Sequence, residues 1–289
     1  MKKCKKVNKK NKIKYISLTA QYIILLSFAV FFIAPVFVVF MNSLKSKLYI
    51  IENPFAFPNS LTFIGLDNYI YGISNTSFFK SFFITLFITV ASTALIILVS
   101  SMFSWYVYRV RNKITKVLYY VIIFSMIVPF QMVMYSVTYI AHELNFSNPI
   151  GIVFLYVGFG VGLSVFTYTG YLRNIPIEIE ESALIDGCNP LKLFFLIIMP
   201  LLKPITITIS VLNIMWIWND YLLPYLVLGT GSYMTLPVAI QQSMKGLYGD
   251  VNWGSFMAMI ILTIIPVIIF YFFTQKYMVK DATSGAVKG

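Results

Sequence analysis

The chain has 289 residues and a net charge of +12, with 59% hydrophobic and only 11% charged side chains. A water-soluble globular domain carries roughly 25% charged residues, so a soluble fold is excluded and one membrane-embedded helical bundle with little mass outside it is expected. A nucleic-acid partner is disfavoured despite the positive charge, because Lys and Arg sit at the ends of apolar segments with no aromatic-basic interleaving.

Cys4 and Cys188 stand apart, with no CxxC pair, and His142 is the single histidine. No metal site is therefore expected.

A spanning helix needs roughly 20 mostly apolar residues, and six stretches qualify in chain order. A Lys-rich tail, 1–16, precedes the first, Ser17–Met41. Its apolar run exceeds the roughly 7–15 residues of a secretory signal core and lacks a small-residue cleavage site, so it reads as a retained anchor. A segment at 42–77 with Pro54, Pro58 and turn-forming Asn and Gly follows. The second span runs Phe78–Tyr108, the third Val117–Tyr139, the fourth Ile150–Leu172, the fifth Ile205–Val227 and the sixth Phe256–Gln275. The core is expected over 78–275, with a polar loop at 173–204 and a tail at 276–289. The fold class is an all-α membrane protein with six transmembrane helices.

Orientation follows from Lys and Arg near the span ends. With six spans, 18 basic residues fall on the side of the N-terminus, the 109–116 loop, the 173–204 loop and the C-terminus. Only Lys45, Lys47, Lys80 and Lys245 fall on the other. Both termini are expected in the cytoplasm, where Cys4 and Cys188 stay reduced, and 42–77 and 228–255 outside.

Ser81, Thr85, Thr89 and Thr93 recur every four residues and share one helix face. They read either as helix-helix glue or as part of a polar pathway. Gly158 and Gly162, also four apart, suit close helix packing. Asp220 is the one acid deep in a span, where charge is costly and faces a cavity or a partner. It reads equally as a cap on neighbouring backbone or as a pathway residue. Trp216, Asn219 and Tyr221 beside it suit sugar stacking and hydroxyl recognition, or an ordinary interfacial aromatic belt. No Walker-type phosphate loop is present, and no catalytic set can be assembled around one histidine.

The loop segment 176–187 begins with Pro176, continues through Glu178, Glu180 and Glu181 and stops at Gly187. Proline and acids suit a helix start, and glycine suits its end. A second short helical piece is expected from Pro190 toward Pro200. Across the whole loop, Glu181-Ser182-Ala183, then Gly187, then Ile197-Ile198-Met199-Pro200 carry the spacing E-A-A, three residues, G, nine residues, I-x-L-P. This resembles the EAA loop of permease subunits of binding-protein-dependent ABC importers, with Ser182 and Met199 replacing Ala and Leu. Trp218–Pro224, Thr235-Leu236-Pro237 and Ser284–Gly289 resemble the carbohydrate-uptake branch, of the maltose and multiple-sugar permease type.

The resemblance implies a type I ABC importer permease fold. It implies a second permease subunit forming a heterodimer, ATPase subunits that bind ATP and Mg, an extracellular sugar-binding protein, and a sugar substrate. No cofactor is implied in this chain, and no catalysis. Glu181, Ser182, Ala183, Asp186 and Gly187 would belong to the helix that couples to the ATPase. Trp216, Asn219, Asp220 and Tyr221 are candidates for the substrate path. The competing class, an ion-coupled secondary transporter or channel, would need charged relays inside the bundle, and only Asp220 offers one.

Overall fold

The computed structural model describes the backbone of residues 2–244 and 251–286, and the side chains of 18–242, 244 and 251–276. Lys245, the side chains of the Lys-rich tail and those of the Ser284–Gly289 motif lie outside the described residues. Regular structure among the described residues is helical, apart from one isolated bridge between Lys45 and Phe63.

The chain divides into two compact units, residues 1–72 with 244–262, and 73–243 with 263–289. The first contains α1 (Lys2–Ser43), α2 (Lys47–Glu52), α3 (Asp67–Asn75, as far as Gly72) and the beginning of the last helix. Helix α1 starts well before the expected boundary at Ser17, and the 42–77 segment holds two short helices rather than a bare loop. The buried Asn68 side chain donates to the carbonyls of Ser43 and Lys45, both at 2.8 Å. The Ser43 carbonyl is one that the end of α1 leaves unsatisfied, and the Lys45 carbonyl belongs to the turn just beyond it. Lys45 is fully buried, its ammonium donates to the Asn53 carbonyl at 3.2 Å, and burial lowers its pKa from the usual lysine value.

The second unit is built on α4 (Phe78–Arg109), α5 (Lys113–Ser125), α6 (Phe130–Glu143) and α7 (Pro149–Leu172). It continues with α8 (Glu178–Ile185) and α9 (Pro190–Leu193), a π-helical stretch Phe194–Ile198, α10 (Met199–Leu201) and α11 (Lys203–Asn219). Then come α12 (Leu222–Leu228), α13 (Leu236–Ser243) and most of α14 (Trp253–Ala286).

Among the described residues, four helical stretches are long and apolar enough to cross a membrane unbroken: Leu18–Ser43, α4, α7 and Trp253–Lys276. Two bent pairs raise the number to six, α5 with α6 at 101° and Pro190–Leu201 with α11 at 77°. The expected third span is thus broken at 126–129. Pro129 brings no N–H to the helix and pushes the residue before it away from helical backbone. The expected fifth span, 205–227, is likewise interrupted, because Asp220 is extended (φ −73°, ψ 124°) and separates α11 from α12.

Two buried clusters show how the bundle runs. Ile88 and Ile96 of α4 meet Ile152, Val153 and Tyr156 of α7 and Ile217 of α11 in one. Tyr168 and Leu172 of α7, Ile209 of α11 and the α8–α10 segment form the other, with Trp105 and Tyr108 of α4 packed against it. Helices α4 and α7 therefore run parallel and α11 antiparallel to both. A parallel pair requires α5 and α6 to carry the chain back, so that bent pair counts as one crossing.

Candidate functional site

The α8–α10 segment is packed onto the ends of α4 and α7. A 3.6-residue period puts Glu180 and Ala183 on one face of α8, and both are buried, Glu180 to 5% exposure. Arg109, the last residue of α4, donates to Glu180 Oε1 from Nε at 2.8 Å and from Nη2 at 2.5 Å. Trp105 Nε1 donates to the other oxygen at 3.0 Å, and Arg109 Nη2 also donates to the Ile175 carbonyl at 3.1 Å. A buried charge pair is tolerable when geometry and further hydrogen bonds satisfy both ions, and here each carboxylate oxygen has a donor.

The end of α8 is closed by two backbone bonds, Cys188 N to Ala183 O at 3.0 Å and Gly187 N to Leu184 O at 3.1 Å. This is the Schellman pattern, which places a left-handed residue at the turn. Gly187 has φ +83°, as expected of a glycine stop, and a Cβ there would meet nothing within 4 Å. Any penalty for a side chain is thus a backbone penalty. Beyond the turn, Asn189 Oδ1 accepts from Lys192 N at 2.8 Å and Pro190 opens α9, both favourable helix-start choices. Leu193, Phe194, Ile198 and Leu202 then bury themselves, with the Phe194 ring centred 5.6 Å from that of Trp105.

What this body leaves exposed is specific. Glu181, Ser182, Leu184, Ile185, Asp186 and Gly187 all face outward, Ile185 to 86%. Ser182 donates back to Glu178 O at 2.8 Å and so offers no free hydroxyl proton. Of the five residues expected at the coupling element, four are on the exposed surface and Ala183 packs inward. Glu180 and Arg109 were not among them. The signal that finds Glu180 is its shared face with the apolar Ala183, which marks it as the inward acid among three; no local signal marks Arg109.

The second candidate cluster lies at the other end of α11. Asp220 Oδ2 accepts from Tyr156 OH at 3.0 Å and Oδ1 accepts from Leu222 N at 3.0 Å, so Asp220 caps the start of α12. Trp216 packs edge-on against Tyr156 with ring centroids 5.4 Å apart, and Tyr221 stacks on Tyr225 at 5.2 Å. Asn219 is exposed and donates to Met215 O at 2.7 Å. Tyr156 is the partner that sequence reasoning missed.

The hydroxyl face of α4 is buried throughout. Thr85 donates to Ser81 O at 2.8 Å and accepts from Leu236 N at 2.7 Å, which ties α13 to α4. Thr89 and Thr93 have no hydrogen-bond partner. The close-packing glycines of α7 differ in part from expectation. Gly158 faces open space, whereas a Cβ on Gly160 would lie 2.5 Å from Ile96 Cδ1 and one on Gly162 would lie 3.0 Å from the Ile122 carbonyl. The three-residue alternation Gly158-Phe159-Gly160 offered two helix faces, and the buried one carries Gly160. Among the described residues no group of acids, Cys and His could hold a metal.

Residues 109–283 match the family described as the binding-protein-dependent transport system inner membrane component. The chain belongs to that family. It is 41% identical over 256 residues to the probable starch degradation products transport system permease protein AmyC of Thermoanaerobacterium thermosulfurigenes, covering 89% of this chain and 92% of the relative. It is 32% identical over 286 residues to the multiple sugar-binding transport system permease protein MsmG of Streptococcus mutans, covering 98% and 100%. A crystal structure of a bacterial ABC transporter that imports the acidic polysaccharide alginate superposes with a TM-score of 0.74 at 22% identity, covering 91% of this chain and 96% of that one. That likeness shows a shared all-helical fold, and the family makes the chain a multi-pass membrane permease.

Proposed function

We propose that this chain is the permease subunit of an ATP-driven sugar importer, forming part of the translocation path and coupling to a separate ATPase through α8. The observation that carries the reading is the α8 body itself. It is a short acidic helix with an exposed apolar tip, held by the buried Arg109–Glu180 pair and turned at Gly187, on the E-A-A, G, I-x-L-P spacing. Glu181, Ser182, Ala183, Asp186 and Gly187 form the coupling element. Glu181 and Asp186 supply charge to an ATPase cleft, and Leu184 and Ile185 supply apolar contact. Motion of the ATPase pair then moves α8 as a lever on α4 and α7. ATP and Mg belong to the ATPase, and this chain does no catalysis. A second permease completes the path, and an extracellular sugar-binding protein delivers the cargo. Names of the relatives, which cover starch degradation products and multiple sugars, support a sugar, mono- or oligosaccharide, as the substrate class.

The assay is uptake of labelled oligosaccharide into proteoliposomes holding the full complex. Uptake requires ATP inside and the binding protein outside. Ion-gradient-driven uptake without ATP would point instead to a secondary transporter. In the same assay Asp220→Asn keeps an acceptor for Leu222 N but loses the charge beside Trp216, Asn219 and Tyr221, the proposed substrate path. Uptake is expected to slow several-fold with assembly intact. If uptake is unchanged, Asp220 is only the cap on α12.

Both termini and α8 lie in the cytoplasm, on the reading that basic residues stay inside. In a variant lacking Cys4 and Cys188, a cysteine at Ser147 will react with an impermeant thiol reagent on intact cells and one at Asn189 will not. Reversed labelling would put α8 on the wrong side of the membrane and end the coupling assignment.

A further inference from the structure

Beside the α8 anchor lies a cleft of about 680 Å³ formed by the end of α4, the start of α5 and the end of α7. Its rim carries four cations, Arg111, Lys113, Lys116 and Arg173, all exposed, and its lining contains no acid. Tyr108 lies behind them. The Arg111 guanidinium sits 5.2 Å over its ring, and Arg111 Nε donates to the Tyr108 carbonyl at 3.3 Å, which preorganises the charge at the rim. Thr169, only 8% exposed, also lines the cleft, and its hydroxyl has no hydrogen-bond partner. A buried hydroxyl left unpaired is costly, so this atom is placed to donate to an occupant.

We propose that this cleft binds one anionic phospholipid, with its phosphate among the four cations and Thr169, and its glycerol and acyl carbons along Tyr108 and the neighbouring apolar wall. Three features select this occupant. The cleft sits where α4 and α7 end and α5 begins, the depth at which headgroups meet the hydrocarbon layer. Its rim is wholly cationic, which disfavours a neutral sugar that needs acceptors as well as donors. Basic pockets between spanning helices take anionic headgroups. The positive end of α5 adds to the same field. The site is next to the Arg109–Glu180 anchor, two residues from Arg111, so an occupied cleft would brace the root of the α8 lever. The binding inference itself does not depend on the transport reading.

The test uses the full chain, purified in mild detergent with the subunits it retains and incubated with equimolar dioleoyl phosphatidylglycerol and phosphatidylcholine. Lipid bound after re-isolation is quantified by mass spectrometry. Phosphatidylglycerol is expected in clear excess. Each cation near an anionic surface contributes about fivefold to affinity, so Lys113→Gln, Lys116→Gln and Arg173→Gln together are expected to weaken retention roughly a hundredfold. Thr169→Phe keeps every charge but fills the cleft, and retention is lost. If that variant does not assemble, Thr169→Leu fills part of the same space. Equal retention of both lipids overturns the proposal. So does a filled-cleft variant that still holds phosphatidylglycerol, which would mean diffuse surface attraction. Displacement by inorganic phosphate alone would mean a simple anion site. Loss of a partner subunit from the charge variant would mean that the cleft is a protein interface.

Discussion

Replacing Glu180 by Gln, or Arg109 by Met, is expected to destabilise the purified protein by about 3–5 kcal/mol, because each leaves one buried charge without its partner. Both side chains are largely hidden, at 16% and 6% exposure for Arg109 and Glu180, so solvent cannot replace what is lost. The Arg109 change also strips a donor from the Ile175 carbonyl, and the Glu180 change weakens the bond from Trp105 Nε1. The double variant is expected to cost clearly less than the sum of the two, since neither charge then remains alone. Thermal unfolding of detergent-solubilised protein measures the cycle, and retention of the ATPase on co-purification reports whether α8 has come loose. Strict additivity, or single changes costing under about 0.5 kcal/mol, would show that α8 is held by the apolar contacts of Ala183, Leu193 and Phe194 instead.

That pair also marks the limit of what a sequence discloses. Spans α4 and α7 are legible because their signal is local, an apolar run longer than a bilayer is thick. The Gly187 turn and the Asn189–Pro190 helix start are legible for the same reason, since each follows from one or two residues. Arg109 and Glu180 lie 71 positions apart, and Tyr156 and Asp220 lie 64 apart. No periodicity within either segment specifies such a contact, which depends on how the two helices pack. Composition alone also could not say which glycine of 158, 160 and 162 faces a neighbour, because rotation of α7 about its axis is set by Ile152, Tyr156 and Tyr168 finding buried places. The break at 126–129 is the opposite case. Pro129 was visible, and an apolar run with a proline inside it specifies a bend as readily as a continuous span.

Gly187→Val is expected to reduce transport at least tenfold, with Gly187→Ala intermediate and Gly187→Asn nearest to the wild type. At φ +83° an L side chain brings its Cβ against the following carbonyl, at a cost of about 1–2 kcal/mol. A β-branched residue fares worse there, whereas Asn tolerates left-handed backbone. Nothing lies within 4 Å of the added Cβ, so the ranking cannot come from a steric clash with neighbours and must come from φ itself. Strain relieved by a change in φ would open the Schellman bonds from Gly187 N and Cys188 N and rotate Glu181, Ile185 and Asp186 relative to α9. The helix would remain anchored by Glu180 but present its tip at a different angle. Hydrolysis by the retained ATPase should therefore persist while sugar uptake falls, and the ratio of the two rates in proteoliposomes reads the effect directly. A Val variant that transports at the wild-type rate would mean that the orientation of the α8 tip does not matter, and the lever mechanism would have to be abandoned.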